Sequence, residues 1–229
     1  MIIVVTGNRK GIGRYISEYY LEKGHTVIGC SRDKSDLVNE KYRHFQADVS
    51  DEKEMKEFIN YIRKDFKYID VLINNAGIAS MNHFLLTPTQ TAKKLMEVNY
   101  IGTLVAIREF SKLLRKSKNP RIVNFTTVAK PLELEGEAAY AASKAAVETL
   151  TRILAKELSQ YKITINAIGP TPIPTDLVRN VPEDKMEKLI ERQSVKRYGK
   201  FQDVSNVLDF FIKPESDFIT GQIIYLGGV

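Results

Sequence analysis

Short, largely apolar runs alternate along the chain with longer segments of helical periodicity. Runs such as residues 2–5 and 26–30 are typical of strands buried on both faces of a parallel sheet. In the segments between such runs, apolar residues recur every three or four positions, as at Met55, Phe58 and Ile62, which predicts helices with one apolar face. The alternation predicts an α/β fold in which a mostly or wholly parallel sheet of about seven strands is flanked by helices on both faces.

The same pattern gives bounds for the individual elements. The predicted strands are residues 2–5, 26–30, 43–47, 70–73, 121–126, 164–168 and 222–225. The predicted helices are residues 11–23, a helix capped by Ser50, and residues 88–116, 137–160 and 204–212. Four prolines in residues 169–182 predict a loop, and we place a substrate loop at about 170–200. No interdomain linker is evident, so we predict that residues 1–229 form a single domain.

Composition narrows the class of protein. The chain has 229 residues, 43% of them hydrophobic and 27% charged, which excludes a disordered or fibrous chain. Its net charge of +6 is spread along the chain without a nucleic-acid-reading motif, so we predict no nucleic-acid partner. Cys30 is the only cysteine, which excludes a disulfide framework, and the three histidines lack metal-ligand spacing, so we predict no metal site. No apolar stretch of about 18 residues and no targeting segment are visible, which predicts a cytoplasmic protein without a membrane partner.

A glycine-rich turn directly follows the first predicted strand and opens the first predicted helix. Its glycines are Gly7, Gly11 and Gly13. Glycines let the backbone turn sharply and approach a phosphate, and the helix N-terminus adds free N–H groups and a partial positive charge. The turn therefore predicts a dinucleotide site, with a plain tight turn as the alternative.

Tyr140 and Lys144 are four residues apart on a predicted helix, so their side chains share one face. A free tyrosine has a pKa of about 10, too high for ready proton exchange at neutral pH. We expect the Lys144 ammonium to favour the phenolate and lower the pKa of Tyr140, which would make it a usable acid or base. From spacing alone, two unrelated helix residues remain the alternative.

Several motifs together resemble the classical short-chain dehydrogenase/reductase family, from residue 2 to residue 228. They are the glycine turn with its G-x-x-x-G-x-G spacing, Asp48-Val49, Asn74-Asn75-Ala76-Gly77, Asn99, Tyr140-x-x-x-Lys144 and Ile219-Thr220-Gly221-Gln222. The resemblance implies a doubly wound Rossmann fold and hydride transfer to or from a carbonyl or alcohol. Within the family, 3-oxoacyl carrier-protein reductases and sugar or carbonyl reductases share these motifs, so the substrate stays open.

The resemblance also implies a role for each catalytic residue. Tyr140 would exchange a proton with the substrate oxygen, and Lys144 would hold the nicotinamide ribose and tune Tyr140. Asn99 would keep a proton-relay water and the helix geometry in place. Thr127 stands where the family usually has serine; it keeps the hydroxyl but adds a methyl group, so we expect an altered substrate range.

Cofactor contacts follow from the resemblance in the same way. They comprise Gly7, Arg9, Lys10, Gly11, Ile12, Gly13, Arg32, Asp48, Val49, Asn75, Ala76, Gly77, Tyr140, Lys144, Pro170, Ile173 and Thr175. The second strand ends without an acid before Asp33, and cations lie nearby, an arrangement that suits the 2′-phosphate of NADP(H). Asp33 could repel that phosphate, which leaves NAD(H) as the alternative. The altered turn Gly169-Pro170-Thr171 departs from the family's usual Pro-Gly.

Three further points stay open at the level of sequence. The charged segment 175–198, which includes Arg179, is either a solvated helix face or a basic cluster that meets an anionic substrate or carrier protein. The resemblance implies a homo-oligomer, a tetramer or a dimer, formed through the long helices at 88–116 and 137–160. A non-catalytic dinucleotide sensor on the same fold is the competing function.

Overall fold

A computed structural model gives the fold and describes residues 1–176, 178 and 181–229. The strands are β1 (Ile2–Thr6), β2 (Thr26–Ser31), β3 (Tyr42–Gln46), β4 (Val71–Asn74), β5 (Arg121–Phe125), β6 (Thr164–Gly169) and β7 (Ile223–Tyr225). The α-helices are α1 (Gly11–Glu22), α2 (Glu52–Asp65), α3 (Thr89–Met96), α4 (Gly102–Leu114), α5 (Ala129–Leu132), α6 (Ala138–Glu157), α7 (Glu183–Glu191) and α8 (Phe201–Ile212). Single 3₁₀ turns lie at Phe84–Leu86, Ser159–Tyr161 and Pro214–Ser216.

The strands form one seven-stranded sheet in the order β3-β2-β1-β4-β5-β6-β7, and every adjacent pair is parallel. This confirms the predicted doubly wound architecture and its wholly parallel form. The strand order reverses between β1 and β4, and at such a switch point the loops after the carboxyl ends of the strands diverge and leave a crevice. Thr6 of β1 pairs with Asn74 of β4 at this edge, so the segments that follow these strands lie side by side.

Alternate residues of the central strands face two separate hydrophobic layers. Val4 and Leu72 belong to the layer that packs against α2 and α4, whereas Val5 and Ile73 belong to the layer that packs against α1 and α8. Side chains alternate between the faces of a strand, so a strand covered on both sides must be apolar at successive positions. The continuous apolar runs of the sequence therefore have their explanation in this two-sided burial.

The structure differs from the predicted elements in three places. Asp51 rather than Ser50 caps α2, because its carboxylate accepts from the backbone amides of Lys53 and Glu54. The helix predicted at 88–116 is divided into α3 and α4 by a π-helical turn at Glu97–Ile101. The predicted loop at 169–182 ends where α7 begins, and α7, like α5, has no predicted counterpart among the stated bounds.

Cys30 lies near the carboxyl end of β2 with no exposed surface, and burial raises the pKa of its thiol to about 12. Its backbone carbonyl accepts a hydrogen bond from the Gly7 amide over 2.8 Å, so β2 supports the glycine turn directly. Across the described part of the chain, the helices are too short or too polar to span a bilayer.

Candidate active site

The glycine turn between β1 and α1 packs so closely that side chains would not fit. A Cβ atom on Gly7 would lie 2.7 Å from the Cα of Ala76, and one on Gly13 would lie 2.4 Å from the Gly7 carbonyl oxygen. Gly7 and Gly11 have φ angles of +68° and +59°, in the left-handed region that favours glycine. The first amides of α1 have no acceptor within the helix and are available to an anion at this end.

The side chain of Asn8 connects the glycine turn to the sheet. Its side chain is fully buried, and its Nδ2 atom donates to the Tyr42 hydroxyl of β3 over 2.6 Å. A Cβ atom on Gly29 of β2 would lie 1.8 Å from the same Nδ2 atom. Gly29 therefore leaves the space that Asn8 occupies, a contact that the sequence analysis missed.

The Asn-Asn-Ala-Gly segment after β4 holds the other side of the turn. Asn75 donates from Nδ2 to the carbonyl oxygens of Thr6 and Gly7, over 3.0 Å each. The Ala76 amide donates to the Thr6 hydroxyl over 3.1 Å. A Cβ atom on Gly77 would lie 3.2 Å from both the Asn99 Oδ1 atom and the Lys144 Nζ atom. Gly77 thus marks the point where three of the predicted motifs meet.

Asn99 lies in the π-helical turn between α3 and α4, buried from solvent. Its side chain forms two hydrogen bonds with the backbone of Ile78. The Oδ1 atom accepts from the Ile78 N–H over 2.8 Å, and the Nδ2 atom donates to the Ile78 carbonyl over 2.9 Å. The same Nδ2 atom lies 2.9 Å from the Ser143 hydroxyl of α6. Asn99 therefore joins the segment after β4 to the helix that carries Tyr140. A π turn at a functional residue is a recurrent feature of helices.

Tyr140, Lys144 and Thr127 line one cleft of about 670 Å³ at the carboxyl edge of the sheet. Burial raises the pKa of the Tyr140 phenol to about 12; the hydrogen-bonding hydroxyl of Thr127 lowers it in part, and the neighbouring Glu137 charge raises it further. The phenol is therefore protonated at neutral pH in this structure.

Lys144 does not lower the pKa of Tyr140 here, and that prediction is wrong for this structure. The Lys144 Nζ atom donates to the backbone carbonyl of Phe125 over 2.9 Å. Burial also lowers the pKa of Lys144 itself to about 8, because a charged ammonium loses its hydration in the cleft. Burial therefore favours the neutral form of both groups.

The cations predicted to surround a cofactor phosphate lie around the glycine turn. Arg9 forms an ion pair with Asp33 over 3.1 Å, and Lys10 forms one with Asp176 over 3.0 Å. Arg32 is exposed at the end of β2. Two of these three cations therefore have acidic partners.

The remaining predicted cofactor residues lie on two sides of the same crevice. Asp48 accepts from the Ser50 amide and hydroxyl, which lowers the pKa of Asp48 although its burial opposes this effect. Val49 packs against Gly102. A Cβ atom on Gly102 would lie 2.8 Å from a methyl group of Val49. Ile12, Pro170, Ile173 and Thr175 line the cleft, and Thr175 lies 3.7 Å from the Cβ position of Gly11. Arg179 of the predicted basic cluster lies outside the described residues.

Comparison with known proteins decides the family. The family described as Enoyl-(Acyl carrier protein) reductase matches residues 6–228, nearly the whole chain. Staphylococcus epidermidis 3-oxoacyl-(acyl-carrier-protein) reductase FabG is 31% identical over 98% of this chain and 96% of its own length. The chain belongs to the short-chain dehydrogenase/reductase family. It is accordingly an oxidoreductase that acts on carbonyl or alcohol groups.

Solved structures of this family share the fold closely. Thermoplasma acidophilum aldohexose dehydrogenase, in a ligand-free form, superposes with a TM-score of 0.89 at 31% identity, covering 99% of this chain and 92% of that chain. A 4-hydroxyisoleucine dehydrogenase complexed with NADH superposes with a TM-score of 0.91 at 29% identity, covering 99% and 97%. The arrangement of sheet, turn and cleft is therefore that of short-chain dehydrogenases.

Glu137 is a cleft residue of this short-chain dehydrogenase that the sequence analysis missed. It immediately precedes α6 and lines the cleft three residues before Tyr140. Burial raises the pKa of its carboxyl to about 7, and Lys185 of α7 opposes this shift. Its spacing from Tyr140 was visible in the sequence, but it stands in an acidic stretch with Glu133 and Glu135, which suggested no distinct role.

Glu148 is a second missed residue, located behind the cleft wall. Its side chain is buried, and its Oε1 atom accepts from the Thr126 hydroxyl over 2.8 Å and the Tyr225 hydroxyl over 2.5 Å. Lys130 and Arg152 lie 3.4 Å and 3.7 Å from its Oε2 atom. This carboxylate ties the ends of β5 and β7 to α6 directly beside Thr127.

Proposed function

We propose that this short-chain dehydrogenase transfers hydride between NADP(H) and a carbonyl or secondary-alcohol substrate, with Tyr140 as the general acid or base. The observation that carries the proposal is the convergence of Tyr140, Thr127 and Lys144 on one cleft. That cleft lies at the same edge of the sheet as the glycine turn and also includes Ile12 of α1. Residues 1–229 act as one domain in this proposal, with the segment at about 170–200 as the substrate loop.

The glycine turn fits a dinucleotide. Protein atoms fill the Cβ positions of Gly7 and Gly13, which keeps the turn compact. Among the residues that the structure describes, only Thr175, at 3.7 Å, lies near the Cβ position of Gly11, so a phosphate can approach the free amides of α1 there. A nicotinamide dinucleotide, when bound, supplies or accepts the hydride, while the protein supplies binding, orientation and the proton. Gly11, Ile12, Asn75, Ala76, Gly77, Asp48, Val49, Pro170, Ile173 and Thr175 would hold it, with Lys144 at its ribose.

The protonation state of Tyr140 suits the reductive direction. With a pKa of about 12, the phenol is a proton donor at neutral pH and would give its proton to the substrate carbonyl oxygen. The Thr127 hydroxyl would donate a second hydrogen bond to that oxygen. Asn99 would act as a positioning residue, because it holds both the Ile78 backbone and Ser143 on the Tyr140 helix.

The preference for NADP(H) rests on local charge. Arg32 directly follows β2, where the 2′-phosphate of the cofactor would bind, and Arg9 lies near it through its ion pair with Asp33. Lys10 adds a third cation on the glycine turn. Asp33 neutralises Arg9 in the free protein, and the ion pair is exposed, so opening it costs little. NAD(H) is the alternative cofactor, since a similar structure was determined with NADH.

The proposal extends to assembly and location. A homo-oligomer, tetramer or dimer, is supported by exposed apolar side chains on the long helices, such as Met96, Ile101 and Ile153. A cytoplasmic location is supported by the absence of any second cysteine for Cys30 to pair with. A non-catalytic sensor is not adopted, because Tyr140 and Lys144 are both present.

The test is a comparison of side-chain variants with NADPH and a panel of ketones, sugars and acyl thioesters. Tyr140→Phe is expected to abolish NADPH oxidation while leaving the cofactor dissociation constant unchanged, because only the proton donor is lost. Thr127→Val should lower kcat about 100-fold through loss of a hydrogen-bond donor, whereas Thr127→Ser should retain turnover with a changed order of substrates. Tyr68→Phe, at an exposed tyrosine, is the control. Full turnover by Tyr140→Phe would disprove the assignment.

A further inference from the structure

We propose that Glu137 determines substrate specificity by accepting a hydrogen bond from a hydroxyl group of the substrate. The substrate class is then a hydroxylated carbonyl compound or the corresponding polyol, rather than an acyl thioester without a hydroxyl. This inference rests on the proposed function, because it assumes that the reacting carbon lies beside Tyr140.

The first supporting observation is position. Glu137 and Tyr140 are three residues apart at the start of α6, and both line the cleft. Glu137 is the N-cap residue of α6, and it is close enough to Tyr140 that its charge raises the pKa of the phenol. A substrate whose oxygen contacts the Tyr140 phenol therefore extends past the Glu137 carboxyl with its neighbouring carbons.

The second observation is that the carboxyl has no hydrogen bond or ion pair with any other residue in the described part of the chain. The cleft that it lines also includes apolar side chains, among them Leu134, Met186 and Leu189. A partly buried carboxylate without a partner is costly, and this cost is recovered when a ligand donates a hydrogen bond to it.

The third observation separates Glu137 from the other charged residues around the cleft. Those residues are exposed and hydrated: Glu133, Glu135, Asp184, Lys185, Lys188 and Arg192. Lys185 attracts Glu137 across the cleft without forming an ion pair with it. Glu137 is therefore less exposed than the other acidic residues that line the cleft.

The chemistry of the carboxylate selects the partner. Above its pKa of about 7 the Glu137 carboxyl is ionised and only accepts hydrogen bonds, so at pH 8.5 it favours an O–H donor and repels the lone pairs of a carbonyl oxygen. A 3-oxoacyl thioester presents a second carbonyl near the reacting carbon, whereas a hydroxy ketone or a sugar presents hydroxyls. The Glu137 carboxylate thus favours hydroxy ketones and sugars and disfavours 3-oxoacyl thioesters.

The experiment compares matched substrates with NADPH: 1-hydroxy-2-butanone and 4-hydroxy-2-butanone against 2-butanone, and the N-acetylcysteamine thioester of 3-oxobutanoate. The wild-type protein should show a kcat/KM at least about tenfold higher for one hydroxy ketone than for 2-butanone. At pH 8.5, where Glu137 is ionised, Glu137→Gln should remove most of that advantage, so that the ratio of the two kcat/KM values approaches one; its effect through the Tyr140 phenol acts on both substrates alike and cancels in the ratio. Glu135→Gln, an equal charge change at an exposed neighbour, should preserve the advantage.

A binding measurement keeps this inference separate from the catalytic role of Tyr140. By calorimetry in the presence of NADP⁺, 1,2-butanediol should bind the wild-type protein about tenfold more tightly than 2-butanol does. The two alcohols should bind to Glu137→Gln with about equal dissociation constants. Equal binding of the two alcohols to the wild-type protein, or equal losses for both in Glu137→Gln, would overturn the inference. Retained turnover by Tyr140→Phe would instead overturn the catalytic assignment and leave the binding result standing.

Discussion

At the scale of single residues, the two groups of the Tyr-x-x-x-Lys motif are controlled by burial. The phenol of Tyr140 and the ammonium of Lys144 both lose hydration in the cleft, which raises the pKa of one and lowers the pKa of the other. Spacing along a helix predicts that two side chains share a face, but it does not give the dielectric environment around them. That is why the motif could be located from the sequence while its protonation state could not.

Lys144 should make the stability of the protein depend on alkaline pH. Its pKa is depressed from 10.5 to about 8, so the unfolded chain binds the proton more tightly than the folded protein between these values. The unfolding free energy is therefore expected to rise with pH from about 8 toward 10.5, by about 3 kcal/mol in total. Urea unfolding between pH 7 and 9.5, with Lys144→Met as the reference, measures this contribution.

The matched variant isolates the lysine from other groups that titrate in the same range. Lys144→Met removes the titrating amine but keeps an unbranched side chain, so the wild-type protein should gain stability relative to it as pH increases. A constant difference between the two proteins across this range would show that Lys144 keeps its ordinary pKa in the folded state.

At the scale of elements, local sequence patterns predicted the positions of the strands, but they did not predict contacts between residues that are distant in the chain. The strands could be predicted because burial on both faces leaves continuous apolar runs, and all seven predicted strands start within one residue of the observed position. The cap of α2 was misplaced by one residue, because Ser50 and Asp51 are both good caps and only the backbone path selects Asp51. The contact between Asn8 and Tyr42 was out of reach, since it depends on how β3 pairs with β2.

The stability of the glycine turn should depend on Gly29, a residue of β2 that lies outside the turn. Gly29→Ala places a methyl group about where the Asn8 amide stands, so we expect a loss of about 2 kcal/mol in unfolding free energy and weaker cofactor binding. Urea unfolding measures the first effect and fluorescence titration with NADPH the second.

A double-variant cycle tests the cause of that loss. Asn8→Ala removes the amide that the new methyl group would meet, so Asn8→Ala/Gly29→Ala should be more stable than the sum of the single losses by more than about 1 kcal/mol. Simple additivity would mean that the two residues do not compete for the same space.

At the scale of the whole molecule, the cleft lies where the strand order reverses, and loops from both halves of the sheet contribute to it. The turn after β1, the segment after β4 and the loop after β6 meet there. A ligand that binds between these segments contacts elements that are distant in the chain. Binding should therefore stabilise the whole fold against unfolding.

NADPH is expected to raise the melting temperature more than NADH at equal concentration. A ligand present at 100 times its dissociation constant adds about 2.7 kcal/mol to the unfolding free energy, so the difference reports cofactor preference without any substrate. Arg32→Gln should reduce the shift with NADPH and leave the shift with NADH unchanged. Lys67→Gln, an equal charge change at an exposed site, is the control. A larger shift with NADH in the wild-type protein would reverse the assignment of the cofactor.

The buried thiol of Cys30 also reports local opening of the fold next to the glycine turn. Cys30 can react with a thiol reagent such as dithionitrobenzoate only when the packing at the carboxyl end of β2 opens, because the thiol is fully buried in the layer against α2 and its pKa is raised. The labelling rate of the unmodified protein thus counts openings at the nucleotide end of the sheet. A bound dinucleotide should slow that rate, while a substrate that occupies only the far end of the cleft should not.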